Sequence, residues 1–146
     1  MPLYTCISDA RTTDAKRQAI AVAITESHCA HTGAPPEFVH VTFSDYLGGA
    51  ADSVLRIVGN IRAGRPPELK SEMHADIVDR VADILSVSGD KVRLILQEVR
   101  AEWSMEGGEV LPTPGSEDDW MKKHWSEDEA DAPAQPVTKM SSSTRP

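Results

Sequence analysis

The stretch that decides the fold is "SVLRIVGNIRAGRPPE", residues 53–68. Residues 53–61 are rich in β-branched side chains and predict a strand. The turn that follows, residues 62–68, contains two adjacent prolines, which suit a first helical turn, so it predicts the start of a helix. Apolar residues then recur at helical spacing up to a glycine stop at Gly89, and residues 92–97 predict another strand. This half of the chain is therefore predicted to run strand, helix, strand.

The same order of elements comes earlier in the chain. Residues 3–8 predict a strand, residues 12–14 offer helix N-caps, and Gly33 supplies the helix stop before the strand pattern of residues 37–43. A helical crossover returns the chain parallel to its first strand, so we predict two β-α-β units in tandem. The fold class is then α+β, a four-stranded sheet covered on one face by two helices. The uncovered face also carries valine and leucine, so we expect it to be apolar and to form an oligomer interface.

The composition restricts the binding partners and the cellular compartment that we expect for this protein. A chain of 146 residues with 40% hydrophobic residues can form one domain with a core. Its net charge of −8 argues against binding to nucleic acid or to an anionic membrane. No apolar run approaches the roughly 20 residues of a membrane helix, and no secretory signal is apparent. Cys6 and Cys29 form no CxxC motif, which fits a reducing environment, so we expect a cytoplasmic protein.

The composition also divides the chain into three parts. We assign residues 2–112 to the folded domain. Residues 113–127 form a C-terminal extension, in which Trp120 and Trp125 offer apolar anchors. Residues 128–146 are polar, acidic and rich in proline and serine, so we predict that this tail is disordered.

Two arginines in the turn are candidates for holding a carboxylate. Arg62 and Arg65 lie three residues apart just before a helix start, and guanidinium groups bind carboxylates well. Ordinary solvated loop charges are the alternative interpretation. His28 continues the inward face of the first helix, where a structural role competes with a binding role. His28 and His31 share that face without a third ligand at useful spacing, so we expect no metal site.

Pro2 is a candidate acid–base group. Removal of Met1, which a small second residue permits, would leave a secondary amine on a rigid ring. An α-amino group titrates near ~8, and burial or nearby cations lower that pKa toward neutrality. Such an amine can accept a proton and return it. An incidental residue at a frayed terminus is the alternative interpretation.

Four segments carry a family resemblance: "MPLY", "AITESHCAHTG", "NIRAGRPPELK" and "MEGGEVLPTPG", which together span residues 2–115. The chain resembles the tautomerase superfamily, and within it the branch named for cis-3-chloroacrylic acid dehalogenase. The resemblance implies that Pro2 is the catalytic group. It also implies that His28, Arg62 and Arg65 hold the substrate carboxylate, and that the protein is a homotrimer with sites between subunits.

The resemblance extends to the residues that would handle water. Glu106 matches the acid that activates water, although Glu102 and Glu109 lie close enough in sequence to compete for that role. The family's dehalogenases place a tyrosine in the last strand, and the matching residue here is Ile95, which has no hydrogen-bonding group. Trp103 is a candidate wall of the pocket, or equally a cover for the oligomer.

We therefore predict a keto–enol tautomerase of small 2-oxo acids, with phenylenolpyruvate as the test substrate. Neutral Pro2 would accept the enol proton and protonate the adjacent carbon, with no metal or organic cofactor. The first alternative is a cis-3-haloacrylate dehalogenase or hydratase, in which protonated Pro2 and Glu106 act together; Ile95 counts against it. The second alternative is a non-catalytic trimeric interaction protein that uses its acidic tail as a contact segment.

Overall fold

The computed structural model describes residues 2–8, 12–45, 54–113, 115–116, 119–120 and 122; for Asp45 and Glu106 only the backbone is described. The main strands are β1 (Leu3–Ser8), β2 (His40–Asp45), β3 (Leu55–Arg62) and β4 (Val92–Val99), and a hairpin follows with β5 (Met105–Glu106) and β6 (Glu109–Val110). The long helices are α1 (Asp14–Thr32) and α2 (Pro67–Leu85). Neither of these helices is apolar enough to cross a membrane. Trp125 and the tail 128–146 lie outside the described residues.

The four main strands form one sheet in the order β2-β1-β3-β4. Strands β1 and β2 are parallel, as are β3 and β4, while β1 and β3 run antiparallel in the centre. Each parallel pair is joined by one helix, and the two helices pack against each other over the sheet. The predicted α+β fold with two tandem β-α-β units is confirmed.

The core lies between the helices and one face of the sheet. Alternate residues of the central strands point into it, and the helices contribute residues at three- and four-residue spacing. Burying side chains of this size stabilises the fold by about 1.5–3 kcal/mol each. Its fully buried aliphatic residues are Ile20, Ile24, Leu55, Ile57, Ile61, Met73, Ile77 and Val81.

The first helix has both ends that the sequence predicts, whereas the second begins at the predicted prolines but ends earlier than predicted. The Thr13 hydroxyl accepts a hydrogen bond from the Lys16 N–H at the start of α1, and Gly33 ends it in the left-handed conformation. The prediction that Gly89 stops α2 is wrong. The helix ends at Leu85, with Ser86 in the left-handed conformation at φ 56°. 

A local hydrogen bond and a contact with the core together account for this early end of α2. The Val87 N–H donates to the Ala82 carbonyl at 3.0 Å, which closes the helix end, and the Val87 side chain packs against the core. Gly89 instead begins a short 3-10 helix, Gly89–Lys91.

The second strand begins later than its sequence pattern indicates. The predicted strand covers residues 37–43, whereas β2 begins at His40. Pro35 and Pro36 lead into a short 3-10 helix, in which the Phe38 N–H donates to the Pro35 carbonyl. Proline fixes φ near the helical value, so this local preference delays the strand.

The open face of the sheet is less apolar than predicted. Its positions include Val58 and Ile95, but Arg56 and Arg93 also lie side by side on it, in register across β3 and β4. Among the described residues, neither of these two arginine side chains has an ion-pair partner. Like charges at neighbouring positions destabilise a sheet, so this face is shaped by charge as well as by apolar area.

Gly59 makes room for a buried ring, which gives a first test. A Cβ atom there would lie 2.5 Å from Cε1 of Tyr4, so Gly59→Ala should lower the free energy of unfolding by about 1–3 kcal/mol. At Gly89 a Cβ would meet Val78 at 3.5 Å, an ordinary contact, so Gly89→Ala should change stability by less than about 1 kcal/mol. Urea unfolding measures both variants. Equal losses would show that the Tyr4 contact is not the cause.

Candidate active site

The antiparallel pairing of β1 with β3 brings the start of the chain to the end of the third strand. Leu3 pairs with Asn60, so the same register places Pro2 opposite Ile61, one residue before Arg62 at the end of β3. Pro2 is buried, and its carbonyl accepts a hydrogen bond from the His40 N–H at 3.0 Å. Pro2 is therefore held at the sheet edge rather than frayed, as the catalytic interpretation requires.

His28 reaches the same edge from the last turns of α1. Tyr4 and Pro2 are two residues apart on one face of β1, and this face meets the helix layer. The Tyr4 hydroxyl and His28 Nδ1 are 2.8 Å apart, and the two rings meet edge to face with centroids 5.8 Å apart. His28 is only 1% exposed. Its imidazole is thus fixed within the core against Tyr4.

Burial and positive charge decide the protonation of these two rings. Burial, together with the charges of Arg65 and the amino terminus, lowers the pKa of His28 to about 4, so the imidazole is neutral at pH 7. Burial also raises the pKa of Tyr4 far above its usual value, while Arg65 opposes that shift. Since Arg65 acts on both rings, its positive charge lies close enough to His28 and Tyr4 to shift the pKa of each.

The two arginines lie on either side of the turn after β3. Arg62 is the last residue of that strand, and Arg62 and Arg65 are both half-buried. The Ala63 N–H donates to the Val99 carbonyl at 2.8 Å, which holds the turn against β4. Helix α2 follows with Pro66 and Pro67, which have no N–H to offer an anion. Binding of a carboxylate here would therefore depend on the guanidinium groups more than on the helix N-terminus.

The remaining sequence candidates are less closely associated with this site. Glu106 lies in the hairpin that follows β4 at this sheet edge, paired with Glu109, but its side chain lies outside the described part. Trp103 is 71% exposed, and the Cζ atom of Arg100 lies 5.3 Å from the centroid of its ring. Within the single chain, Trp103 is therefore not packed in the core. Ile95 is 37% exposed on the open face, opposite to the face of Pro2, and the fold of one chain does not bring the two together.

The sequence analysis missed Tyr4 as a site residue. The signal was present, because Tyr4 follows Pro2 by two residues and so shares its strand face. Its partner could not be identified from sequence, since His28 lies 24 positions away and the contact depends on how α1 packs on β1.

Comparisons with known proteins find relatives of the chain among solved structures. No protein-family model and no curated protein matches the chain. Among solved structures, N1, a member of the cis-3-chloroacrylic acid dehalogenase family, is 28% identical with a TM-score of 0.78; the alignment covers 89% of this chain and 99% of N1. Native Ps01740 is 32% identical with a TM-score of 0.66, covering 71% of this chain and 99% of its own.

A more distant relative shares the fold. An asymmetric trimer of fused 4-OT is 20% identical with a TM-score of 0.67, covering 74% of this chain and 94% of that one. Taken together, the matches show that the chain belongs to the tautomerase superfamily.

The buried neutral His28 should make stability depend on pH. Its pKa is about 4 in the folded protein and 6.5 when unperturbed, so the unfolded chain binds more protons between these values. His28 therefore disfavours folding increasingly as the pH falls from 6.5 to 4, by on the order of 3 kcal/mol in total. His28→Gln removes this titration.

Chemical denaturation at pH 7 and pH 4.5 measures the effect. The loss of stability on acidification should be smaller in His28→Gln than in the wild type. His40→Gln is the matched control: it replaces an exposed histidine and leaves the buried imidazole of His28 in place, so this variant should keep the wild-type loss. An unchanged loss in His28→Gln would contradict the assignment of His28 as a buried neutral group.

Proposed function

We propose that the protein is a keto–enol tautomerase of small 2-oxo acids that uses the amine of Pro2 as acid and base. The observation that carries this proposal is the convergence of buried Pro2, neutral His28 and the Arg62–Arg65 turn at one sheet edge. The superfamily membership supports an enzymatic role, because its related structures include malonate semialdehyde decarboxylase, a protein with decarboxylase and hydratase activities.

The proposed reaction moves one proton. After Met1 is removed, the neutral Pro2 nitrogen accepts the enol hydroxyl proton as the C2–O bond becomes a carbonyl. The same nitrogen then gives that proton to C3, forming the C–H bond of the 2-oxo acid. Charge is conserved, since the amine begins and ends neutral. The ring restricts the direction of the nitrogen lone pair, and the hydrogen bond to the Pro2 carbonyl holds the residue in place.

The arginines would hold the substrate carboxylate. Arg62 and Arg65 are half-buried, so their charges are screened less than those of exposed arginines. His28 stays neutral because of its burial and the nearby cations, so it adds a hydrogen-bonding group and no charge. A chain with a net charge of −8 thus places positive charge at the edge where an anionic enol would bind.

The alternative function is a cis-3-haloacrylate dehalogenase or hydratase, and the similarity to N1 favours it. In that reaction protonated Pro2 would supply a proton to carbon while Glu106 activates water. Ile95, where the family's dehalogenases have a tyrosine, counts against efficient addition of water. Retention of Met1, which mass spectrometry of the intact chain detects, would instead favour the non-catalytic interaction protein.

We also propose that the protein is a homotrimer. Related fused 4-OT structures are trimers, and the open sheet face carries half-buried Val58 and exposed Ile95. In such an assembly Ile95, which cannot reach the site of its own chain, would lie near the site of another subunit. The partner copy would then complete the site.

Loss of the Pro2 amine should affect turnover, and loss of Arg65 should affect binding. Pro2→Ala replaces a rigid secondary amine with a flexible primary one and should lower kcat on phenylenolpyruvate by at least ~10²-fold. Arg65→Ala should act mainly on KM, because a carboxylate contact binds ground state and transition state alike. Pro35→Ala and Arg80→Ala change exposed residues and serve as controls. Full activity of Pro2→Ala would refute the catalytic assignment.

Ile95→Tyr should restore a hydroxyl beside the proposed water site. We expect this variant to gain activity on cis-3-chloroacrylate while ketonisation stays within a few-fold of wild type, because only the addition of water needs that group. Ile95→Phe supplies the ring without the hydroxyl and is the matched control. Steady-state assays of both reactions measure the effect. Equal chloroacrylate activity in the two variants would mean that another residue limits that chemistry.

Sedimentation equilibrium tests the assembly. The wild type should be a trimer at micromolar concentration, and Val58→Glu should weaken it by placing a charge in the open face. Val22→Glu, at an exposed position of α1, should remain trimeric. A stable wild-type monomer would rule out the proposed trimer, and dissociation of only the Val22 variant would place the interface on the helices.

A further inference from the structure

The buried pair formed by Tyr4 and His28 has one hydrogen bond and one unused polar atom. The Tyr4 hydroxyl lies 2.8 Å from His28 Nδ1, and both side chains are fully buried. On the other side of the imidazole, His28 Nε2 is buried and has no hydrogen-bond partner among the described residues. Leaving a buried polar atom unpaired is unfavourable, so such an atom in a native structure calls for an explanation.

The direction of the hydrogen bond follows from counting donors and acceptors. Within the described part of the chain, the Tyr4 hydroxyl has no acceptor other than His28 Nδ1. If Nδ1 carried the proton instead, the buried hydroxyl hydrogen would have no acceptor. Tyr4 therefore donates to Nδ1. A neutral imidazole has one N–H, so the proton lies on Nε2.

We propose that Tyr4 is a positioning residue: it fixes His28 as the neutral Nε2–H tautomer, so that the buried Nε2–H is kept as a donor for an oxygen atom of the bound ligand. The positive charge of Arg65 acts on the same imidazole, so donor and cation together favour an anionic oxygen ligand. The identification of this oxygen as part of a 2-oxo acid rests on the function proposed above. The assignment of the tautomer does not rest on it.

The strand next to β1 is shaped to keep this pair together. Tyr4 pairs with Gly59 across β1 and β3, and any side chain at that position would overlap the Tyr4 ring. The phenol is thus confined between Gly59 and His28. This confinement matters because a side chain free to change rotamer would not hold one tautomer of its partner.

Two-bond ¹H–¹⁵N correlation spectra of the ¹⁵N-labelled full chain at pH 7 test the tautomer without substrate. His28, assigned by comparison with His28→Gln, should show an unprotonated Nδ1 and a protonated Nε2. His31 is an internal control, because its Nδ1 lies 2.8 Å from the Ser27 carbonyl, which can only accept; its Nδ1 should be protonated. A protonated Nδ1 on His28 in the wild type would overturn the proposal, and this measurement needs no folded variant of Tyr4.

Tyr4→Phe keeps the ring and removes the donor. The His28 signal should then change to the other tautomer or to a mixture, while the His31 signal stays the same. An unchanged His28 tautomer would overturn the positioning role of Tyr4. In kinetics, KM for phenylenolpyruvate should rise by roughly 10-fold with kcat within a few-fold, as expected for one lost hydrogen bond to bound substrate.

Titration with phenylpyruvate, the keto product, separates this inference from the proposed function. The His28 Nε2–H resonance should shift on binding in the wild type, and the shift should be reduced or lost in Tyr4→Phe. If the tautomer is as proposed but Pro2→Ala keeps full activity, the positioning role stands and the tautomerase proposal fails. If the tautomer is wrong while Pro2→Ala is inactive, only the inference about Tyr4 fails.

Discussion

The antiparallel pairing of β1 with β3 is the constraint on which the rest of the molecule depends. It joins two β-α-β units, each of which would otherwise end in an unpaired edge, into one sheet. Its register places Pro2 beside the end of β3 and Gly59 opposite Tyr4. A slip of one residue would turn Tyr4 to the open face and break its hydrogen bond to His28. Fold and candidate site therefore share one set of backbone contacts.

Around Pro2 the protein combines positive charge with neutral polar groups. Arg65 acts on Tyr4 and His28, and burial keeps both of these rings uncharged at neutral pH. Charges interact more strongly in such partly buried surroundings than in water. In the proposed function, this positive charge would attract the substrate carboxylate, and neutral His28 would add a hydrogen bond without adding charge.

On the open face of the sheet, two like charges lie next to each other. Arg56 and Arg93 lie side by side among apolar neighbours such as Val58 and Ile95. An interface that covered this face would need an anionic or hydrated environment for both guanidinium groups, because a buried unpaired charge is costly. The proposed trimer is therefore constrained by electrostatics as well as by apolar area.

The sequence by itself determined the order of the elements, the parallel pairing inside each unit and the first helix with both its ends, because these follow from periodicity, crossovers and capping. It also identified Pro2 and the Arg62–Arg65 turn as candidates. Only the tertiary structure decided the early end of α2, the Arg56–Arg93 pair on the open face and the contact of Tyr4 with His28. Each of these depends on register and packing between residues far apart in the chain, which local patterns do not encode.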